Sequence, residues 1–372
     1  MNLVRTTYKP EDVTILLQDL SGKMRAMDTE EREKAIQSGV HYSEMLPLEY
    51  KPTDDYIKIY DKALSKMSQP IAYYVGKLAD RMYNQFGDKL VIISLARAGI
   101  PAGILVKRYI KQFFNADVPH YSISIIRGKG IDEAAMDYIY EQEHTKGVEN
   151  FVFLDGWTGK GAIMYVLQKA VDQLKEKDAH KWSKLSSDLA VIADPANICN
   201  LRGTHGDVLI PSSCLNATVS GLVSRTIHRD DLIENGEFHG AVYFEHLESE
   251  DRSYEFINTI EKYFKPVSKW VGNVDDYLAM GNRVAGIEVV KHLAEVYDIE
   301  DINMIKPGIG EATRVLLRRV PWKVVINESC KNNTDLDHIV ELCKERNVPI
   351  EYRNDIGYYS VCGIIKNMSA DA

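Results

Sequence analysis

Phe151-Val152-Phe153-Leu154-Asp155-Gly156-Trp157-Thr158-Gly159-Lys160-Gly161-Ala162 is the stretch on which the fold turns. Four consecutive apolar residues read as a strand buried on both faces, as strands of a parallel sheet are. The acid and glycines after them read as a loop at the strand's carboxyl end, and residues 162–174 as the returning helix. The same unit recurs on either side. Residues 90–95 form an apolar strand, and Pro101 opens a helix carrying Ile104, Leu105 and Tyr109. Residues 121–126 form another strand, followed by Arg127-Gly128-Lys129-Gly130 and a helix near 133–143. Further strands are expected at 189–193, 208–210 and 241–244, then a helix at 253–264. Strands alternating with helices predict an α/β fold: a parallel sheet with helices on both faces and ligands beyond the strands' carboxyl ends.

Upstream, Ile71, Val75, Leu78 and Met82 share one face of a helix over 61–86 that stops at Gly87-Asp88. The first 60 residues mix short apolar groups with turn signals and read as a lid, hood or edge element, in which His41, Tyr42 and Glu44 are either hood residues or structural ones. Downstream of 266–278, taken as a linker, the pattern changes. Helices at 283–297, 311–318 and 335–346 and strands at 323–327, near 350 and at 359–364 form a smaller α/β/α module. The expected domains are therefore 1–270 and 279–372.

A chain of 372 residues with 45% apolar and 27% charged residues has the composition of a globular protein and room for two cores. No stretch approaches the roughly 20 apolar residues of a membrane span. Met1 to Pro10 lacks a signal peptide's apolar segment, so a cytoplasmic location and no membrane partner are expected. A net charge of −9 argues against coating nucleic acid through bulk charge, but leaves room for a local basic patch. The five cysteines form no CxxC pair and no metal-like spacing with histidine.

Two loops carry chemistry. In Leu95-Ala96-Arg97-Ala98-Gly99-Ile100-Pro101, small residues and the following helix start favour an anion, and Arg97 adds a planar cationic fork. In Thr158-Gly159-Lys160-Gly161, successive amides and one hydroxyl can surround a phosphate, while Asp155 is placed to accept from sugar hydroxyls. The ordinary alternative is a pair of tight strand-to-helix turns with solvated charges.

These residues resemble type I phosphoribosyltransferases: 94–103 is similar to their pyrophosphate loop and 154–162 to their phosphoribosyl pyrophosphate (PRPP) loop. Together with Ser38-Gly39-Val40-His41-Tyr42-Ser43-Glu44-Met45-Leu46 and 211–226, they resemble the phosphoribosyltransferase-like proteins of bacterial tellurium-resistance and stress gene clusters. That resemblance covers nearly the whole chain, with a Pelota-type C-terminal domain.

The resemblance implies PRPP-dependent transfer to a nucleobase-like acceptor, with Mg²⁺ on the pyrophosphate. Arg97, Ala98 and Gly99 would hold pyrophosphate, and Thr158, Gly159, Lys160 and Gly161 the 5′-phosphate. Asp155 would hold the ribose, with Arg127 and Lys129 closing over the leaving group. Asp194, Ser213 and Asn216 are candidates for the second substrate's site. One departure is plain: the family places two adjacent acids where Asp155 is followed by Gly156. The second carboxylate is missing or comes from elsewhere, with Asp194 as candidate. A non-catalytic PRPP sensor or RNA-binding regulator is the alternative. A further alternative is a cysteine hydrolase using Cys214 with His205 or His228, since a cysteine-protease label circulates among such relatives.

Residues 308–314 and 320–326 resemble Pelota and the kink-turn-binding ribosomal proteins. That implies structured RNA as a partner through Glu311, Arg314 and Arg318. Gly310 stands where the RNA binders carry Asn, and Arg314 where they carry Lys. A homodimer is left open.

Overall fold

The computed structural model describes residues 2–270 and 286–366. A parallel sheet runs through the larger domain. Its strands are β1 (Thr14–Ile15), β2 (Val91–Ala96), β3 (His120–Ile126), the short antiparallel return β4 (Gly130–Ile131), β5 (Phe151–Trp157), β6 (Leu189–Ala193) and β7 (Arg202–Thr204). The order is β1-β3-β2-β5-β6-β7, with every pair on that path parallel. Helices α1 (Asp54–Phe86), α2 (Gly99–Phe114), α3 (Glu133–Glu143), α4 (Ala162–Lys177) and α5 (Ser253–Glu261) surround it.

Both faces of the sheet are apolar because successive strand residues point to opposite sides. Val91, Ile93, Phe151 and Phe153 share one core with Met136 and Ile139 of α3 and Leu167 and Val171 of α4. Ile92, Val152 and Leu154 share the other with Ile71 and Leu78 of α1 and Ile104 and Leu105 of α2. Helix α1 starts a full two turns before the expected residue 61, where Thr53 accepts from Tyr56 N–H and Asp54 and Asp55 face the helix's positive end.

The last sheet strand is not 208–210, which is irregular, but Arg202–Thr204. Gly203 is what admits it: a Cβ there would stand 2.4 Å from the Tyr74 carbonyl oxygen and 2.7 Å from that of Ile192. The strand expected at 241–244 shrinks to Gly240–Ala241, and 211–219 forms two short 3-10 turns. Part of the N-terminal segment is an edge element, as β1 shows by pairing with Tyr121 and Ser122.

The smaller domain comprises α6 (Gly286–Val296), β8 (Ile305–Pro307), α7 (Ile309–Arg318), β9 (Pro321–Asn327), α8 (Asp337–Glu345), β10 (Ile350–Arg353) and β11 (Val361–Ile365). Its sheet order is β8-β11-β9-β10, antiparallel except for β9 with β10. The expected linker runs into 271–278 and the expected helix start at 283–285, both outside the described residues. One face of this sheet packs on α6. The other, through Ile309, Leu316 and Ile339, continues into the core of the larger domain.

Polar contacts fasten the two domains. Asp207 accepts from Ile309 N–H and from Ser360 N–H, each at 2.8 Å, so a carboxylate of one domain caps α7 of the other. Tyr359 Oη donates to Gly159 O at 2.7 Å, and Lys66 pairs with Asp335 at 2.6 Å.

Burial pushes the Asp207 carboxyl up to about 7 against the pull of its backbone donors. A carboxyl raised on folding favours the folded state in its protonated form, a contribution lost as pH rises from about 4 through about 7. Buried His120 and His239, pushed down to about 3, act in the opposite sense over the lower part of that window. The Asp207 contribution is therefore isolated by difference. Between pH 5 and pH 8, Asp207→Asn should gain stability relative to the unsubstituted protein in urea unfolding. Parallel pH profiles for the two proteins would refute this.

Candidate active site at the strand tips

The tips of β2 and β5, the 211–219 turns and the first turns of α7 surround one cleft. It is lined by Arg97, Ala98, Pro101, Trp157, Ser212, Leu215, Asn216, Val219, Ser220 and Arg314. Its volume is about 30 Å³, room for water but not for a nucleotide or peptide while α7 is seated. Gly310 permits that seating, since a Cβ there would meet Ser213 Cβ at 3.3 Å and the Trp157 ring at 3.5 Å. Arg314 lies over the Trp157 ring, 4.8 Å from its centre, and pairs with Glu311 at 3.1 Å.

Arg97 does not present an open fork. Its guanidinium donates to Glu49 Oε1 at 2.6 Å and to Val223 O at 2.7 Å, and the pair is 15% and 9% exposed. Glu49 also accepts from Ala217 N–H at 3.2 Å, so one carboxylate joins the β2 tip to the 211–219 segment. Ala98 lines the cleft, while Gly99 is buried at the start of α2.

The second loop is committed to internal contacts as well. Thr158 Oγ1 donates to Asp194 Oδ1 at 2.8 Å and accepts from Ala196 N–H. Asp194 is fully buried and also accepts from Ile198 and Cys199 N–H, so it clamps its own loop. Desolvation raises its pKa. Gly159 O receives the Tyr359 hydroxyl, and Gly161 turns into α4 with φ +86°. Lys160 Nζ reaches out of its own domain to Ile302 O and Asn303 Oδ1, each at 2.9 Å.

Asp155 is half-buried. Desolvation raises it to about 6, outweighing the Gly156 N–H and the charge of Arg314. Arg127 and Lys129 sit under the N-terminal segment. Arg127 N–H donates to Tyr42 Oη at 2.8 Å and its carbonyl meets His41 Nε2 at 3.0 Å. Lys129 Nζ lies 3.3 Å from Glu44 Oε1. His41, Tyr42 and Glu44 thus hold this loop in place. Ser213 is buried beneath α7, Asn216 lines the cleft, and the Arg318 side chain lies outside the described residues. Glu49 and Asn303 are far-off partners of the loops, and nothing in their local sequence marks them.

Cys199 and Cys214 lie near the strand tips. Cys199 is buried, and desolvation followed by Asp194 raises its thiol far above the ordinary range. Cys214 is fully buried at the end of the 211–214 turn, between cleft-lining Ser212 and Leu215. His205 Nδ1 lies 3.8 Å from Asp194 Oδ2, and its ring stacks on Tyr358. His228 lies against Lys129, Asp230 and His239, and desolvation lowers its pKa. Among the described residues no group of three or more His, Cys, Asp or Glu is arranged to hold a metal, and no helix is long and apolar enough to cross a membrane.

A family model described as tellurite-like stress resistance cysteine protease StiP matches residues 6–261. One described as PELOTA RNA binding domain matches residues 284–367. The protein named cysteine protease StiP from Acinetobacter baylyi is 35% identical over 376 residues, covering 97% of this chain and 94% of that protein. These findings overturn phosphoribosyl transfer from PRPP to a nucleobase-like acceptor, and the Mg²⁺ expected with PRPP loses its ground. The structure supplies a physical reason: the Arg97 fork is neutralised by Glu49, and Thr158 commits its hydroxyl to Asp194 and Ala196 and its N–H to Ala193 O. The resemblance to proteins of tellurium-resistance clusters is the part that survives, and the chain belongs to the StiP family, with a Pelota-type domain at its C-terminal end.

Proposed function

We propose that this protein is a cysteine hydrolase acting on peptide bonds, with Cys214 as nucleophile and its C-terminal domain binding RNA. One observation carries the choice of residue. Only Cys199 and Cys214 fall within the matched residues 6–261, and Cys199 is held as a thiol by burial beside Asp194. Cys214 lies in the segment that lines the cleft. His205, oriented by Asp194, is the base in this reading.

The Cys214 sulfur attacks the substrate carbonyl carbon and its proton passes to His205. The amide C–N bond then breaks as the leaving nitrogen takes that proton, giving a thioester. Water, deprotonated by His205, attacks the thioester and returns the thiol.

The RNA half rests on the matched domain and on Lys306, Arg314, Arg319 and Lys323 within it. A peptide carrying a thiol-reactive vinyl sulfone tests the hydrolase half. Mass spectrometry should find it on Cys214, with loss of peptide hydrolysis in step with labelling. Labelling of Cys199 instead, or hydrolysis indifferent to thiol alkylation, would overturn the assignment.

A further inference from the structure

Two cations of the larger domain converge on one neutral oxygen of the smaller domain. Lys160 Nζ lies 2.9 Å from Asn303 Oδ1, and Arg127 Nη1 lies 3.5 Å from the same atom. They come from different loops: Arg127 leaves β3 and Lys160 leaves β5. Lys306 of β8 and Arg319 at the end of α7 bring further positive charge from the other side of the seam.

The opposing charge is small. The acids facing this group are Asp301 and Glu311. Glu311 is already paired with Arg314, and Asp301 accepts from the Asn303 backbone and side-chain amides. The repulsion is felt inside the cluster. Lys160 is pushed down to about 8, first by burial and then by Lys306 and Arg127. Like charges gathered across an interface destabilise it unless an anion lies among them. Arg127, Asn303 and Arg319 are exposed, so the mouth of the seam is open to solvent.

Resting on the RNA-binding reading above, we propose that the phosphate backbone of RNA lies along this seam, held jointly by Arg127 and Lys160 of the larger domain and Lys306 of the smaller. RNA binding is then a property of the two docked domains. A phosphate oxygen takes the place beside Arg127 and Lys160 that the neutral Asn303 oxygen holds. An RNA strand fits better than an acidic side chain because cations on both walls meet successive phosphates, each releasing counterions.

The test uses the full-length chain and a fluorescein-labelled oligoribonucleotide, single-stranded or as a hairpin, with binding read by anisotropy across a salt series. Arg127→Gln and Lys160→Gln should each weaken binding about tenfold and reduce the slope of log K against log salt by about one. Asn303→Asp, which sets a fixed carboxylate between the two cations, should weaken it comparably. Because Arg127 is exposed, Arg127→Gln should keep the unsubstituted melting temperature. Unchanged affinity in Arg127→Gln, Lys160→Gln and Asn303→Asp, with the unsubstituted protein still binding, overturns the seam and leaves RNA to the smaller domain alone. No binding by the unsubstituted protein at low salt overturns the RNA reading itself. Poly-glutamate bound as tightly as RNA, with the same dependence on Arg127 and Lys160, makes the seam a site for acidic peptides and overturns the proposal.

Discussion

Replacing Cys214 by alanine is expected to reduce peptide hydrolysis by on the order of 10⁴-fold or more, the scale on which loss of a covalent nucleophile is felt. Cys214→Ser should fall nearly as far, because a hydroxyl in the same place lacks a thiolate's nucleophilicity. Cys199→Ala should keep most of the activity, since that thiol is locked in its neutral form by burial and by Asp194. Both cysteines are buried, so each variant's melting curve is needed to separate lost chemistry from lost fold. A folded Cys214→Ala protein that still cleaves peptide would remove the residue from the mechanism. His205→Ala should also reduce turnover, and should alter the acid limb of the rate profile rather than only its height. The cleft is closed to a peptide while α7 is seated, so turnover requires the smaller domain to move away from Trp157 and Ser213.

The second large effect falls on stability. Arg97→Ala should cost about 3–5 kcal/mol, because it leaves the Glu49 carboxylate, 9% exposed, without its cation. Glu49→Ala should cost a similar amount by stranding Arg97, and it also removes the acceptor of Ala217 N–H. The two losses should not add: replacing both residues removes the ion pair without leaving an unpaired charge, so the double variant should be less damaged than the sum. Urea unfolding of the two single variants and the double variant measures this coupling. Additive losses, or single losses below about 0.5 kcal/mol, would mean that solvent reaches the pair and screens it.

The amino-acid sequence by itself determined the alternation of strand and helix in the larger domain. Phe151 to Leu154 and Leu189 to Ala193 are apolar at every position, and Leu90 to Leu95 at every position but Ser94, and such runs are stable only between two helical layers. It also marked the positions where loops meet helix starts, because Gly, Thr and Pro act on the backbone within a few residues. The Pelota-type module was legible for the same reason: its periodicities are local. The tertiary structure alone decided what those loops do. Arg97 reads as an anion's fork until the chain brings Glu49, 48 residues earlier, within 2.6 Å of it. Lys160 reads as a ligand of a phosphate held in its own loop until Asn303, 143 residues later, meets it across the domain seam. Gly310 reads as a lost RNA contact until Ser213 and the Trp157 ring are seen to crowd the place of a side chain, at 3.3 and 3.5 Å from a Cβ there. Helices and strands follow from the spacing of neighbouring residues. A charge's role depends on which opposite charge the closed chain sets beside it, and that partner can lie anywhere along the sequence.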